Sequence, residues 1–255
     1  MTLTLTEVPG IPLINPGDDI SKLIFDNLVK SNIYLLDGDI VVIAQKIISK
    51  SENRLVNLVS IHPSEKAFEL SKNSGKDPRL IELILRESKE IIRVRQGSII
   101  CEHNIGFVCA NAGIDHSNVS GPGTNDDDWV LLLPLNPDLS AGKIRTEIEK
   151  LSGVNIGVLI IDSHGRAWRL GTVGVAIGIS GIPGLVDERG WNDLFGFTLQ
   201  ITVVGVADEL AAAASLVMGQ AAEGTPVVHV RGFPYQLRES SINEVLRPKE
   251  SDMFR

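Results

Sequence analysis

Short apolar segments at irregular intervals are the feature that most limits how this chain can fold. They have the length of buried strands and lie at residues 39–44, 106–110, 129–133, 156–161, 197–206 and 226–230. Segments with helical periodicity separate some of them, but strands near residues 98–101 and 106–110 follow each other directly. Regular βαβ units are missing. The pattern therefore predicts an α+β fold with mixed or largely antiparallel sheets, flanking helices and two closely associated subdomains.

Capping residues indicate where the intervening helices begin and end. Ser64 offers an N-cap hydroxyl, and Asp77–Pro78 is a second N-terminal signal. Gly75 ends the helix that Ser64 opens. We also predict a helix over residues 140–153, opened by its serine, and an alanine-rich helix over residues 207–218.

Composition and charge exclude several classes of protein. The 255 residues are 43% hydrophobic and 22% charged, and the net charge of −8 disfavours a broad nucleic-acid surface. No apolar run reaches the ~18 residues that span a bilayer, and the N-terminus lacks a signal-peptide pattern. Cys101 and Cys109 fit no zinc spacing. We expect a cytoplasmic protein with reduced cysteines and with neither nucleic-acid nor membrane partners.

Two acids follow apolar strands in similar ways. Asp115 lies in NAGIDHSNV, residues 111–119, where it could hold a metal ion; an Asx-turn is the simpler alternative. Asp162 follows the strand at residues 156–161, in DSHGRAWRLG. Two carboxylates at strand ends can converge on one cleft and share hard cations, and Ser163 adds a hydroxyl oxygen.

Cationic side chains near these acids suit an anionic substrate. Arg166 and Arg169 follow the second acid closely, and guanidinium groups bind carboxylates and phosphates well. Lys46 and Lys50 follow the strand at residues 39–44, where lysines can meet phosphates. Surface ion pairs and solvent-facing lysines are the alternatives.

A glycine-containing segment, MGQAAEGT at residues 218–225, joins a predicted helix to a strand. Its small side chains allow a ligand to approach the backbone closely. Gln220 and Glu223 could supply oxygen ligands to a metal. Gly219 is equally explained as a helix C-cap, and the two roles are compatible.

Other familiar motifs are missing. The histidines show no metal-binding spacing, and His116 and His164, which lie near the two acids, are predicted to be neighbours of the site and not ligands. Neither cysteine has a visible partner that would make it a nucleophile. A G-x-x-x-x-G-K-[ST] motif and a strand-linked G-x-G-x-x-G motif are both absent, which excludes a P-loop and a Rossmann dinucleotide site.

In their order, these motifs resemble the coenzyme F420:L-glutamate ligase family, also called F420 gamma-glutamyl ligases. The resemblance spans almost the whole chain and rests on GIPLI at residues 10–14, PGDD at 16–19, DGD at 37–39, QK at 45–46, SK at 49–50, NAGIDHSNV, DSHGRAWRLG, AIGISG at 176–181, DE at 208–209 and MGQAAEGTPVV from residue 218. It implies one catalytic domain over residues 1–255, without the flavin-enzyme-like extension of some bacterial members. It also implies an unusual α+β arrangement that forms an intertwined homodimer.

The resemblance further implies an activity. The protein would be a GTP-dependent ligase that joins L-glutamate to the carboxylate of the phospholactyl deazaflavin precursor through an acyl phosphate, and that can add further gamma-linked glutamate. The family uses two divalent cations, Mg²⁺ or Mn²⁺, and is associated with K⁺.

Roles for individual residues follow from the same resemblance. Asp115 and Asp162 correspond to ligands of a first metal, and Ser163 and Gln220 to ligands of a second. The corresponding GTP site consists of Ile11, Pro12, Leu13, Ile14, Gln45, Lys46, Lys50, Asn118, Met218, Gly219, Gln220, Ala221, Ala222, Glu223, Gly224 and Thr225. We assign Arg166 and Arg169 to the substrate anions during catalysis.

Three alternatives share these residues. A metal-dependent nucleotide phosphohydrolase would need no glutamate. A GTP-binding regulatory module would keep the nucleotide site without the chemistry, although such a module need not retain the metal set. A ligase on the same fold could act on another anionic carboxylate.

Overall fold

The computed structural model describes residues 2–122 and 126–253. Its helices are α1 (Ile20–Lys30), α2 (Gln45–Ser51), α3 (Glu65–Ser74), α4 (Pro78–Arg86), α5 (Pro137–Ser152) and α6 (Val206–Met218). Its strands are β1 (Thr4–Glu7), β2 (Ile40–Ala44), β3 (Leu55–Asn57), β4 (Ser88–Arg95), β5 (Ser98–His103), β6 (Val108–Ala110), β7 (Trp129–Leu131), β8 (Gly157–Arg166), β9 (Arg169–Ser180), β10 (Val186–Asp187), β11 (Val203–Val204) and β12 (Val227–Arg231). The predicted mixed α+β class is confirmed.

A five-stranded sheet in the order β1-β12-β2-β8-β9 forms the centre of the larger part of the molecule. All its neighbouring strands are antiparallel except β2 and β8, which run parallel with Ala44 opposite Ile161. Gln45 directly follows Ala44 in the sequence, and Asp162 directly follows Ile161. The one parallel pair therefore brings two predicted site residues to the same region of the sheet.

Helices cover both faces of this sheet. Apolar residues of α1 and α5 pack with Val41, Ile43 and Ile160 on one face, while α6 packs with Val42 and Leu159 on the other. Alternate strand residues thus enter different cores, as expected for a sheet buried on both sides.

The absence of a side chain at Gly174 allows α6 to pack closely on β9. A Cβ there would lie 2.4 Å from the carbonyl oxygen of Ala211. This close packing positions the end of α6, and hence the segment after Met218, beside the hairpin that carries Asp162.

A smaller unit contains α3, α4 and the antiparallel sheet β4-β5-β6. Leu80, Ile81 and Ile84 of α4 pack against Ile99 and Cys101 of β5 in a separate buried cluster. The predicted helix signals are confirmed here. The side chain of Ser64 accepts from the amide of Ala67, Asp77 caps α4, and Gly75 ends α3 in the left-handed conformation.

The two cysteines lie directly opposite each other on β5 and β6. Both are buried and free, as predicted. None of the described helices is long and apolar enough to cross a membrane.

Three sequence predictions need correction. Helix α5 starts at Pro137 because Asn136 caps it, so Ser140 is not the cap. The strand ending before Asp162 continues to Arg166 and forms a long hairpin with β9. The predicted strand at residues 197–206 is wrong except at Val203–Val204, because most of its apolar side chains pack against no core.

Candidate active site

A small cavity opens at the junction of the two units. Its lining includes Ala110, Gly113, Ile114, Asp115, Asp162, Ser163, His164, Gly165 and Thr172. The two predicted metal-binding aspartates thus converge on one cavity, although 47 positions separate them in the sequence.

A left-handed turn delivers Asp115 to the cavity. Asn111, Ala112 and Gly113 have φ values of 52°, 53° and 63°. The Asn111 side chain accepts from the amide of Ile99 at 3.1 Å, which fixes the turn to β5. Asp115 then exchanges two backbone hydrogen bonds of 2.9 Å with Leu131, so its backbone is held against β7.

The carboxylate of Asp115 contacts the start of α2. Its Oδ2 accepts from Gln45 Nε2 at 2.7 Å, and its Oδ1 lies 3.4 Å from Lys46 Nζ. Burial raises the pKa of Asp115 to about 6, and the nearby charge of Asp162 adds to the effect. A buried carboxyl next to a second carboxylate is a position where a bound cation would relieve repulsion.

Asp162 lies on β8 in contact with His164. Its Oδ2 is 3.0 Å from His164 Nε2. Burial is the largest single influence and favours the neutral acid. The contacts with His164, the hydrogen bond from the Ser163 amide and the charge of Lys46 together outweigh it, so the pKa of Asp162 lies below its usual range. The carboxylate form is an acceptor only, so the proton between the two groups resides on Nε2.

Ser163 faces the segment that follows α6. Its hydroxyl donates to Gln220 Oε1 at 2.8 Å. The structure thus joins the two residues assigned to a second metal, 57 positions apart in the chain.

The Gly219–Glu223 segment folds back on itself. Gly219 has φ 72° and ψ −177°, a conformation almost confined to glycine. Glu223 then accepts from the amide of Ala221 at 2.8 Å. Gly219 is the predicted C-cap, and its amide bonds the carbonyl of Ser215. Ala221, Ala222 and Gly224 are exposed, and Met218 is buried under the segment.

The two lysines of α2 hold the loop after Asp115. Lys46 Nζ donates to the carbonyl and the hydroxyl of Ser117 at 3.0 and 2.8 Å, and Lys50 Nζ donates to the carbonyl of Asn118 at 2.9 Å. Asn118 Nδ2 in turn donates to the carbonyl of Ala221 at 3.0 Å. Burial, together with the neighbouring charge of Lys46, lowers the pKa of Lys50.

The N-terminal segment, residues 8–17, is tied to β12 at one end and to the last residue of α2 at the other. Its ends are fixed by hydrogen bonds from Val8 to Val227 and from Gly17 to Ser51. Between them, Ile14 is buried and Ile11 packs on the core, while Pro12 and Leu13 are exposed. Leu13 is 90% exposed, which makes it available to a ligand.

Arg166 and Arg169 lie elsewhere. They pair across the tip of the β8–β9 hairpin, where both are exposed. Toward the tip of that hairpin, the cavity lining extends as far as Gly165 and Thr172 and does not include the two arginines. Thr172 was missed by sequence reasoning because the hairpin itself was not predicted, and a pairing pattern across residues 162–175 is the signal that would have found it.

The donor set suits a hard divalent cation. Two carboxylates, a hydroxyl and an amide oxygen are all oxygen ligands, which Mg²⁺ and Mn²⁺ prefer. Within residues 2–122 and 126–253, no group of three or more His, Cys, Asp or Glu side chains has metal-binding geometry. A site here would therefore hold each cation by few protein ligands, leaving positions for oxygens of a substrate.

The fold and the site together define a class of protein. Oxygen-bearing side chains, two lysines and an open glycine-containing segment meet where the parallel pairing of β2 with β8 ends. This combination is typical of an enzyme that binds a phosphate-bearing substrate with the help of cations.

Comparison with known proteins specifies the family. The sequence profile described as F420-0:Gamma-glutamyl ligase matches residues 10–232. The chain is similar to the coenzyme F420:L-glutamate ligase of Methanothermobacter thermautotrophicus, with 49% identity over 100% of both chains. It is 47% identical to the coenzyme F420:L-glutamate ligase of Methanocaldococcus jannaschii, over 98% of this chain and 96% of the relative. It is 41% identical to that of Archaeoglobus fulgidus, over 100% of this chain and 97% of the relative. The chain belongs to the F420-0:gamma-glutamyl ligase family.

Proposed function

We propose that this protein is a GTP-dependent ligase that forms an amide between L-glutamate and the carboxylate of the phospholactyl deazaflavin precursor of coenzyme F420. Family membership supports the ligase activity and the acceptor. The observation that carries the proposal is the convergence of Asp115, Asp162, Ser163 and Gln220 beside Lys46. A phosphate donor, an anionic acceptor and glutamate would meet there, and their charges require several cations.

The proposed chemistry has two steps. An oxygen of the acceptor carboxylate attacks the γ-phosphorus of GTP, the bond to the β,γ-bridging oxygen breaks, and GDP leaves. The neutral amine of glutamate then attacks the carbonyl carbon of the acyl phosphate. Inorganic phosphate leaves with the electrons of the C–O bond, and the amine releases a proton. Repetition on the product would add a further glutamate in gamma linkage.

Individual residues have defined parts in this proposal. Asp115 and Asp162 would hold a first Mg²⁺ or Mn²⁺, and Ser163 and Gln220 a second. These cations would supply charge neutralisation on the phosphates. Lys46 would bring a positive charge close to Asp115, from which it is 3.4 Å away. A K⁺ requirement is also part of the proposal, without an assigned residue.

The nucleotide would lie along α2. Lys50, Asn118 and the carbonyl of Ala221 form a chain of hydrogen bonds that joins α2 to the segment after Met218. GTP in this position would contact the exposed backbone near Gly224 and the N-terminal segment at Leu13. Arg166 and Arg169, exposed on their hairpin, would bind acidic groups of the acceptor or of glutamate.

We further propose that two copies assemble into a homodimer. The loop between β10 and β11 exposes Leu194 by 97%, Phe195 by 95% and Ile201 by 88%. Trp168 on the hairpin tip is 88% exposed. Large apolar side chains exposed in this number usually meet another surface.

The deciding experiment combines the purified protein with GTP, Mn²⁺, L-glutamate and the deazaflavin precursor and determines product masses. We expect a gain of one glutamate residue, which depends on GTP and Mn²⁺. Absence of that gain in the complete mixture would refute the ligase proposal. Rapid phosphate release without precursor and glutamate would instead identify a phosphohydrolase.

A further inference from the structure

His164 adjoins one of the proposed metal ligands without being one itself. Its Nε2 lies 3.0 Å from Oδ2 of Asp162, and the two side chains are only 11% and 13% exposed. Both residues lie on β8, two positions apart, and therefore on the same face of that strand. The contact is thus built into the strand geometry and needs no loop to bring the groups together.

The orientation of the imidazole is imposed from another element. The ring of Phe107, just before β6, lies 5.1 Å from the His164 ring at an angle of 55°. Phe107 also stacks on His103, with 5.3 Å between ring centroids and 15° between planes. His103 is itself fixed, because its Nδ1 accepts from the amide of Ile105 at 3.0 Å. Ring contacts thus connect His103 on β5, through Phe107, to His164.

We propose that His164 is a positioning residue, which orients the Asp162 carboxylate toward the cation through its Nε2–H and is itself oriented by Phe107. A carboxylate with one oxygen held in this way presents its remaining lone pairs in a fixed direction. The inference rests on the metal site of the proposed function.

His116 provides a natural contrast. It adjoins the other aspartate, Asp115, yet it is exposed, and in the described part of the chain it makes no hydrogen bond to that acid. Each histidine lies within two positions of a proposed metal ligand in the sequence, but the structure places the two differently. A role that depends on contact with the carboxylate should therefore separate them.

The test measures Mn²⁺ binding to the full-length protein by electron paramagnetic resonance titration, without nucleotide. His164→Leu keeps an apolar side chain against Phe107 but removes the donor. We expect Mn²⁺ binding weakened by roughly 10–100-fold, the usual effect of losing such a partner. His164→Gln places an amide donor near the position of Nε2 and should restore most of the affinity. His116→Leu should bind Mn²⁺ like the unmodified protein.

Each outcome has a defined meaning. Equal Mn²⁺ affinities for His164→Leu and the unmodified protein would overturn the inference while leaving the metal site intact. If His164→Gln binds Mn²⁺ as weakly as His164→Leu, the inference is also overturned, because the loss of Mn²⁺ affinity would then not depend on the hydrogen-bond donor. Absence of Mn²⁺ binding in the unmodified protein would overturn the metal site itself. Thermal unfolding midpoints of the variants establish that each is folded.

Discussion

Gln45 Nε2 donates a hydrogen bond of 2.7 Å to Oδ2 of Asp115, across 70 positions of the chain. The orientation of this amide is set by Ser49, whose hydroxyl donates to Gln45 Oε1 at 2.8 Å. Since an amide has one acceptor end and one donor end, the Ser49 contact leaves the donor end for Asp115. The bond connects α2, at the end of a central strand, with the loop that leaves the smaller unit. The proposed metal site therefore depends on both units being correctly packed.

Replacing either aspartate tests the proposed metal ligands. Asp115→Asn and Asp162→Asn keep the side-chain shape but remove the charge that would hold the cation. We expect the ligase rate at saturating substrates to fall about 100-fold or more, because cation stabilisation of phosphoryl transfer is worth several kcal/mol and ~1.4 kcal/mol corresponds to a tenfold change. The rate of product formation with Mn²⁺ is the measurement.

Asp26→Asn is the matched control for this pair. Asp26 is a partly exposed acid on α1 that pairs with Lys22. Its replacement should leave turnover unchanged. Wild-type rates in Asp115→Asn or in Asp162→Asn would contradict the assignment of that residue.

Lys50 is the sharpest probe of the nucleotide site. Its ammonium is half-buried, donates to the carbonyl of Asn118, and has a lowered pKa because of burial. A charge-assisted hydrogen bond contributes about 1.5–3 kcal/mol, so Lys50→Met should raise the KM for GTP by roughly 10–100-fold. Lys66→Met, on an exposed position of α3, should leave that KM unchanged. If both variants have the same KM for GTP, Lys50 does not contact the nucleotide.

Gly219→Ala tests the conformation of the segment that follows α6. A Cβ at this position would lie 2.2 Å from Cδ of Glu223, and the backbone conformation is strained for any other residue. We expect a stability loss of about 1–3 kcal/mol, together with a raised KM for GTP. Gly205→Ala, at a position with open space around it, should cost less and leave KM unchanged. Urea unfolding and steady-state kinetics measure the two effects.

Local signals predicted the caps, because each depends on a few neighbouring residues. Ser64, Gly75 and Asp77 act where the sequence placed them. The contacts among the site residues could not be predicted from local signals. The contacts of Gln45 with Asp115 and of Ser163 with Gln220 depend on strand order and on the parallel pairing of β2 with β8. No local pattern in the sequence encodes strand order.

The β8–β9 hairpin shows why periodicity alone was insufficient. The strand prediction stopped before Asp162 because the apolar run ends there, yet β8 continues through polar residues to Arg166. Pairing with β9 extends the strand, and the backbone hydrogen bonds of that pair do not require apolar side chains. Asp162 is consequently held within a strand and not in a loop, which fixes its position more firmly than the sequence suggested.

Leu194 and Phe195 test the proposed homodimer. Both are almost fully exposed in the loop between β10 and β11. If this loop docks on a second copy, replacing both residues with Asp should weaken association by about 2 kcal/mol or more for each interface hot spot. Phe68→Asp, at a half-exposed position of α3, should not change the assembly. Sedimentation velocity gives the mass in solution. A dimer that persists in the double variant would exclude this loop as the interface.

Asp39 lies at the opposite end of β2 from the site, so its replacement separates stability from activity. Its carboxylate accepts from His229 Nε2 at 2.8 Å and from Arg231 at 2.9 and 2.7 Å. Burial favours the neutral acid, but these bonds outweigh it and hold the pKa of Asp39 far below its usual range. Because the folded pKa is depressed, ionised Asp39 stabilises the fold above about pH 4, the ordinary value, and this contribution is lost as the pH falls further.

Asp39→Asn should therefore lower the free energy of unfolding at neutral pH by about 1.5–3 kcal/mol, the range for hydrogen bonds to charged groups. The difference from the unmodified protein should narrow as the pH drops below about 4. Urea unfolding followed by circular dichroism over this range is the measurement, with Asp26→Asn again as the partly exposed control. A difference that stays constant with pH would show that the charge of Asp39 is not the source of its contribution. Metal binding should be unaffected, because β2 separates Asp39 from Gln45 and the cavity.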